Sequence, residues 1–490
     1  MSELSVNEKS WIDRQIRHEE NERYMVDGRD FVDEGLIWTE LEKQRDPDPA
    51  RVRDIIAKSL SLKRLEPSET AALLNCTDED LWQEMHGAGL KVKQSVYGRR
   101  IVFFAPLYVS NYCVNNCQYC GFRRENRSVV RGCLSDDDLK EEILALIRLG
   151  HKRLVMVYGE HPSTDADFIA HTIRLAYTVK DAGGEIRRAN VNAAPLCVGD
   201  YRKLKEVGIG TYQVFQETYH HETYARAHPA GTLKGDMQWR LYALHRAQEA
   251  GIDDVAMGTL FGLFDCRFEV MAMLLHTMDL ERCFGGVGPH TISVPRLEPA
   301  VNTPFLDNPK FSVPDDLFRK IVTVIRLSVP YTGLILTARE PAAVRRDLIP
   351  LGITQIDAGS NIGIKGYSDG HVIGDRQQFM LSDNRTLDEV VGELSKMGMI
   401  TSFCTADYRC GRTGGCFMSL SKDGKIQNFC MPNAILTFAE YLEDFASPGV
   451  REEGWKLVER EIGSLGDEST RRIVEDYLAR IRAGERDLYL

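Results

Sequence analysis

Three cysteines crowd into the stretch Asn111-Tyr-Cys-Val-Asn-Asn-Cys-Gln-Tyr-Cys-Gly-Phe122, where Cys113, Cys117 and Cys120 form a Cys-x3-Cys-x2-Cys array. Thiolate is the soft donor that iron–sulfur clusters use, and such clusters are usually held by four cysteines. Structural zinc also takes four ligands, commonly as two separated pairs. An array of three leaves one iron open, so a small molecule must fill that corner or react there. Burial alone rarely places three thiols in so short a run, and a packed loop or a redox dithiol explains the array poorly.

A second group, Cys404, Cys410, Cys416 and Cys430, lies near the C-terminal end of the sequence. The remaining Cys76, Cys133, Cys197, Cys266 and Cys283 are scattered and read as small buried hydrophobes. The N-terminus is polar, and no apolar run approaches the roughly 18 residues of a membrane span, so a cytoplasmic protein with no membrane partner and no disulfides is expected. A formal charge of -11, from 61 basic and 72 acidic residues, leaves no electrostatic footprint for a nucleic acid. The expected substrate is a small molecule.

The elements that must position these cysteines follow from the pattern of apolar runs. Residues 1–97 read as a charged helical leader, with Asp48-Pro49 and the capping-box-like Thr77-Asp-Glu-Asp80 as helix starts. From residue 98 to 375, eight short apolar runs alternate with helical patterns: Val102–Ala105, Leu154–Tyr158, Ala189–Val191, Tyr212–Phe215, Asp254–Met257, Thr291–Val294, Leu334–Leu336 and Thr354–Ile356. Strands alternating with helices make a parallel sheet, and eight close as a (β/α)8 TIM-type barrel of about 250 residues, an α/β fold. Residues 376–490 return to a mostly helical pattern, with a cysteine-bearing loop over 403–431, a helix opened by Pro432 and two amphipathic helices after Glu452. In such barrels chemistry sits where strands run into loops, and the cysteine array falls just after the first strand.

The array resembles the signature of the radical S-adenosylmethionine (SAM) superfamily. The resemblance implies that the methionyl amine and carboxylate of SAM chelate the open iron of a 4Fe-4S cluster, and that an electron then splits the sulfonium to give a 5'-deoxyadenosyl radical. Tyr119 holds the position of the aromatic residue near the adenine. Val157-Tyr-Gly-Glu160 is similar to the superfamily's glycine-glycine-glutamate element: Gly159 gives the backbone room, and Glu160 can bind the ammonium of a chelated amino acid. Glu217 and Arg240 are further candidates for ribose and carboxylate contacts, and ordinary ion pairing explains them equally well.

Longer stretches narrow the family. Tyr212-Gln-Val-Phe-Gln-Glu-Thr-Tyr-His220, Gly288-Pro-His-Thr-Ile-Ser-Val-Pro-Arg296 and Cys404-Thr-Ala-x-Tyr-Arg-x-Gly-Arg-Thr-Gly414 resemble the tyrosine lyases that mature FeFe-hydrogenase and their sibling, the 2-iminoacetate synthases of thiamine biosynthesis. The likeness implies cleavage of the Cα–Cβ bond of L-tyrosine to p-cresol and dehydroglycine. In the hydrogenase maturases, dehydroglycine goes on to carbon monoxide and cyanide at a second cluster. It also implies a reductant such as ferredoxin or flavodoxin, and metallocofactor assembly proteins as partners. Arg296, Arg339 and Ser360 fall at the mouth of the barrel, and either arginine suits the tyrosine carboxylate. A lyase that stops at dehydroglycine and a non-enzymatic cluster carrier are the alternatives. A carrier has no need of a radical generator.

The second cluster of the maturases uses a Cys-x2-Cys pair and a third cysteine 23 residues later. Here the first and third positions are Cys404 and Cys430, but the middle one is Asp407. Carboxylate is a harder ligand than thiolate. Either Asp407 binds iron itself or Cys410 or Cys416 supplies the missing thiolate, and compensation by a neighbouring cysteine is the expectation. His290 is placed to serve the far end of the cavity as an iron ligand or proton relay, or to sit as a satisfied core histidine.

Overall fold

A computed structural model describes residues 4–304, 310–369 and 377–490. Eight parallel strands close the barrel: β1 (Arg100–Ser110), β2 (Arg153–Tyr158), β3 (Arg188–Asn192), β4 (Tyr212–Gln213), β5 (Val255–Gly258), β6 (Thr291–Ser293), β7 (Gly333–Leu336) and β8 (Gln355–Asp357). Closure comes from β8 on β1, with Phe103 opposite Ile356. Each of the eight apolar runs lies in or overlaps one strand. Parallel strands covered on both faces need continuous apolar runs, which is why these short stretches are legible.

A ninth strand, β9 (Ile400–Ser402), escapes the sequence pattern because three residues carry no periodicity. It pairs parallel with the start of β1, Ile101 opposite Thr401, on the edge that β8 takes over from Val102 onward. Eleven residues of β1 thus serve three partners: β9 at the beginning, β8 in the middle and β2 towards the end. The segment after 376 is therefore stitched into the barrel sheet at the end opposite the cysteine array.

Two helix boundaries differ from the sequence reading. Asp78, not Thr77, caps the helix Glu79–Tyr97, because its carboxylate accepts from the amides of Asp80 and Leu81. The helix containing Pro432 begins earlier and runs Gln427–Asp444, and the span 403–431 also holds the short helices Ala406–Arg409 and Gly414–Lys422. Pro432 is the sixth residue of the helix Gln427–Asp444, past its first turn, so the missing proline N–H costs one intrahelical hydrogen bond. Asp48 caps Pro49–Leu60 with Pro49 at its first position.

The leader packs where it matters for the site. Ser5 and Glu8 close a capping box on the helix Val6–Gln15, which turns Trp11 and Ile12 inward. They share a buried apolar cluster with Val114 of the cysteine loop, Leu233 and Trp239. No described helix is long and apolar enough to cross a membrane.

Candidate active site

The loop after β1 brings Cys113, Cys117 and Cys120 to the edge of a cavity of about 190 Å³ at the C-terminal end of the barrel. A register shift between Tyr108 and Ser110 re-aims the chain as it leaves the strand. The Val114 amide then bonds the Glu160 carbonyl at 2.8 Å, tying the cysteine loop to the end of β2. Gly159 is required at that crossing: a Cβ there would stand 2.0 Å from the Tyr112 carbonyl oxygen. Burial pushes the Cys113 thiol up to about 11 and raises Cys117 as well, so without a bound cation both stay protonated. Three soft donors facing an open cavity beside that glycine cradle fit a three-thiolate cluster with SAM at the free corner.

Glu160 is fixed from two sides. Arg240 donates Nη1 to Oε1 at 2.8 Å, and Asn115 donates Nδ2 to Oε2 at 2.7 Å. Arg240 is in turn anchored by Nε on the Phe215 carbonyl at 2.7 Å. Glu217 pairs with Lys234, Nζ to Oε1 at 2.6 Å. Burial would raise the Glu217 carboxyl, but Lys234 and Arg240 outweigh it and hold it below the usual carboxylate value. Its backbone takes φ of 69°, a left-handed conformation that costs a non-glycine residue about 1–2 kcal/mol. Buried Glu269 stabilises the turn by bonding the Thr218 hydroxyl and the Tyr219 amide.

Tyr119 lines the cavity, with its hydroxyl 2.8 Å from His228 Nε2. His228 Nδ1 lies 3.0 Å from the Tyr224 carbonyl and must donate there, so Nε2 accepts from the phenol. That chain of bonds sets the orientation of the Tyr119 ring.

The two candidate arginines have different surroundings. Arg296 is taken up by Glu340, by Asp315 at 2.8 Å and by the Val313 carbonyl at 2.8 Å, and it does not line the cavity. Arg339 does line it. Its guanidinium stacks 3.3 Å over the Phe379 ring and makes no hydrogen bond or ion pair among the described residues. Ser360 stands behind the wall, bonding Asp357 Oδ2 at 2.7 Å, and Asp357 Oδ1 accepts from the Ala338 amide beside Arg339.

Sequence reasoning passed over Asn115, Lys234 and Glu298. Asn115 lies inside the cysteine loop, a signal that was available. Lys234 and Glu298 sit in segments without a motif and become cavity residues only through folding. Burial, with Glu340 nearby, raises Glu298 to about 7.

At the opposite end of the barrel a smaller pocket of about 30 Å³ is lined by Arg100, Arg153, Asp254, His290, Cys404 and Asp407, among others. His290 Nδ1 faces Asp254 at 3.3 Å, and its ring lies against Phe417. Cys404 and Cys430 are buried, and Cys430 Sγ touches Asp407 Oδ2 at 3.4 Å. Cys410 and Cys416 are exposed and do not line this pocket. Of the scattered cysteines, Cys76, Cys197 and Cys266 are buried, whereas Cys133 and Cys283 are partly exposed.

A cysteine loop, a carboxylate and an arginine at the mouth of a closed barrel define a radical SAM enzyme. Residues 107–275 match the radical SAM superfamily, and residues 293–400 match the biotin and thiamin synthesis associated domain. The chain is 30% identical to the 2-iminoacetate synthase of Escherichia coli (strain K12), over 70% of this chain and 88% of that protein. A crystal structure of HydG, a maturase of the [FeFe]-hydrogenase, is 46% identical, with a TM-score of 0.90 over 94% of this chain and 100% of that one. The HydG of Carboxydothermus hydrogenoformans is 36% identical with a TM-score of 0.78, over 97% of this chain and 100% of that one. The chain belongs to the family of 2-iminoacetate synthases and HydG-type maturases. Membership brings a SAM-binding 4Fe-4S cluster and SAM as cofactors, and the likeness to HydG supports an auxiliary iron–sulfur cluster.

Proposed function

We propose that the enzyme cleaves the Cα–Cβ bond of L-tyrosine, giving p-cresol and dehydroglycine. The observation that carries this reading is Arg339, a half-buried cavity arginine with no acid partner among the described residues, placed in the same chamber as the three cysteines. An amino acid carboxylate would complete its fork with two parallel hydrogen bonds. Phe379, held by the Arg339 guanidinium, and Tyr108 offer aromatic walls for a phenol ring.

Cys113, Cys117 and Cys120 would hold the cluster, and with SAM bound it would supply the radical chemistry for removing a hydrogen atom from the substrate. The protein binds, orients and excludes water. Glu160, neutralised on one side by Arg240, keeps a carboxylate edge for the ammonium of SAM. Glu217 and Lys234 form a pair suited to ribose hydroxyls. Burial of Tyr119, Cys117 and Leu260 keeps the reacting centre dry. The electron comes from a low-potential donor such as ferredoxin or flavodoxin.

Anaerobically reconstituted protein incubated with tyrosine, SAM and a reductant should release p-cresol and 5'-deoxyadenosine together. Formation of 5'-deoxyadenosine without p-cresol would end the tyrosine assignment. Asp407, in place of the middle cysteine, favours a second reading of the fate of dehydroglycine: a lyase that stops there and does not continue to carbon monoxide and cyanide. Assay of carbon monoxide and cyanide in the same incubation separates the two.

A further inference from the structure

The pocket beneath the barrel holds more positive charge than its acids neutralise. Arg100 enters at the start of β1 and Arg153 at the start of β2, each 7% exposed. The Arg100 guanidinium makes no hydrogen bond or ion pair among the described residues; it lies 5.3 Å from the centre of the Tyr97 ring with Nε unpartnered. Among the described residues Arg153 reaches only the Cys404 carbonyl, at 3.2 Å, and its Nε is also unpartnered. The acids are already engaged. Asp254 faces His290 and accepts from the Gly414 amide, and Asp407 Oδ1 accepts from Arg412 Nε at 2.9 Å. Buried cations without partners are costly, so this pocket is built to receive an anion. The soft donors at its border are the buried thiols Cys404 and Cys430. Thiolates on an iron–sulfur centre carry the negative charge that the two arginines lack, so the residues fit that group.

Position selects the third donor. Cys410 lies on the outer side, its Sγ 3.9 Å from the Leu490 carbonyl, and Cys416 is exposed on the helix Gly414–Lys422. Asp407 lies in the pocket wall. Arg412 holds one of its oxygens and leaves the other against Cys430 at 3.4 Å.

We propose that Cys404, Asp407 and Cys430 are the protein ligands of the auxiliary iron–sulfur centre, with Arg100 and Arg153 balancing its charge. The proposal rests on the auxiliary cluster of the family, and not on the identity of the substrate. Carboxylate ligation, with two nearby cations, marks a centre chemically distinct from a three-thiolate one.

The test uses the full chain with Cys113, Cys117 and Cys120 all changed to Ser, so that only the auxiliary centre reports. After anaerobic reconstitution, iron, sulfide and the EPR spectrum of the reduced protein are read. The expected result is about four irons per chain, at least a fivefold loss in Asp407→Ala, and full retention in Cys410→Ser and Cys416→Ser. Asp407→Cys guards against misfolding: it should keep the iron with shifted EPR g-values. Arg100→Gln should keep the iron and lower the midpoint potential, because removing a cation favours the oxidised centre. An iron-free background, iron that survives Asp407→Ala, loss of iron on Cys410→Ser or Cys416→Ser, or an unchanged spectrum in Asp407→Cys would each overturn the assignment. Formation of p-cresol by the unaltered chain is measured in parallel, so failure of the tyrosine reading leaves the iron result standing.

Discussion

Arg240 and Glu160 meet across the mouth of the barrel, Nη1 to Oε1 at 2.8 Å, with both side chains at most 10% exposed. One stands on the helix Met237–Leu241 and the other after β2, and Asn115 extends the contact into the cysteine loop. A pair so buried orients the carboxylate more than it stabilises the fold, but breaking it is expensive. Arg240→Met should cost about 3–5 kcal/mol of stability by stranding the Glu160 charge. Thermal unfolding reads the loss, and calorimetric titration should show SAM affinity reduced at least tenfold. Unchanged SAM affinity would remove the pair from the cofactor site.

Arg339→Met should raise KM for tyrosine ten- to a hundredfold, since a hydrogen bond to a charged group contributes about 1.5–3 kcal/mol. Cleavage of SAM in the absence of tyrosine should stay within twofold of the unaltered enzyme. Arg296→Met is the contrast: it strands buried Glu340, so the melting temperature should fall while KM holds. A reversal of the two phenotypes in steady-state p-cresol assays would exchange their roles.

Gly159→Ala forces a methyl group to 2.0 Å from a backbone carbonyl, closer than any side-chain adjustment can relieve. The cysteine loop must shift. Iron at the SAM cluster should drop by half or more on reconstitution, with the far-ultraviolet circular dichroism preserved. Full iron content would show that the loop tolerates the move.

Trp11 packs in one cluster with Val114, Leu233 and Trp239, the neighbours of Cys113, Lys234 and Arg240. Trp11→Ala should cost about 3–5 kcal/mol by opening a cavity there. The loosened loops should also weaken SAM binding severalfold, with Trp11→Phe intermediate. A melting shift without any change in SAM affinity would make the leader helix a stabilising element alone.

Burial raises the Glu269 carboxyl from its usual 4.5 to about 8, against the bonds from Thr218 and Tyr219 that favour its charged form. The folded state therefore holds this proton to a higher pH than the unfolded chain does. Its stabilising contribution is fully present below about pH 4.5 and is lost as pH rises to about 8. Glu269→Gln, whose amide can donate to Thr218 and accept from Tyr219, should flatten that decline in melting temperature between pH 5 and 8. An identical slope in the variant would place the titrating group elsewhere.

The barrel and its first site were legible because each rests on local rules. Eight apolar runs announce buried parallel strands, and three cysteines at fixed spacing need only one loop to converge. Glu160 could be placed because it ends a strand that points at the same rim. Strand β9 was illegible: its three residues gain meaning only from pairing with the start of β1.

The sequence by itself determined the ligand chemistry, the barrel and the family, because residue type, spacing and period-of-burial patterns are local properties of the chain. Tertiary structure decided the partners. It spent Arg296 on Glu340, left Arg339 stacked on Phe379 with no acid partner among the described residues, paired Lys234 with Glu217, and set Asp407 against Cys430 while turning Cys410 and Cys416 outward. Such choices depend on which side chains meet across the barrel, and in a buried, low-dielectric interior the partner fixes what a charged or thiol group can do.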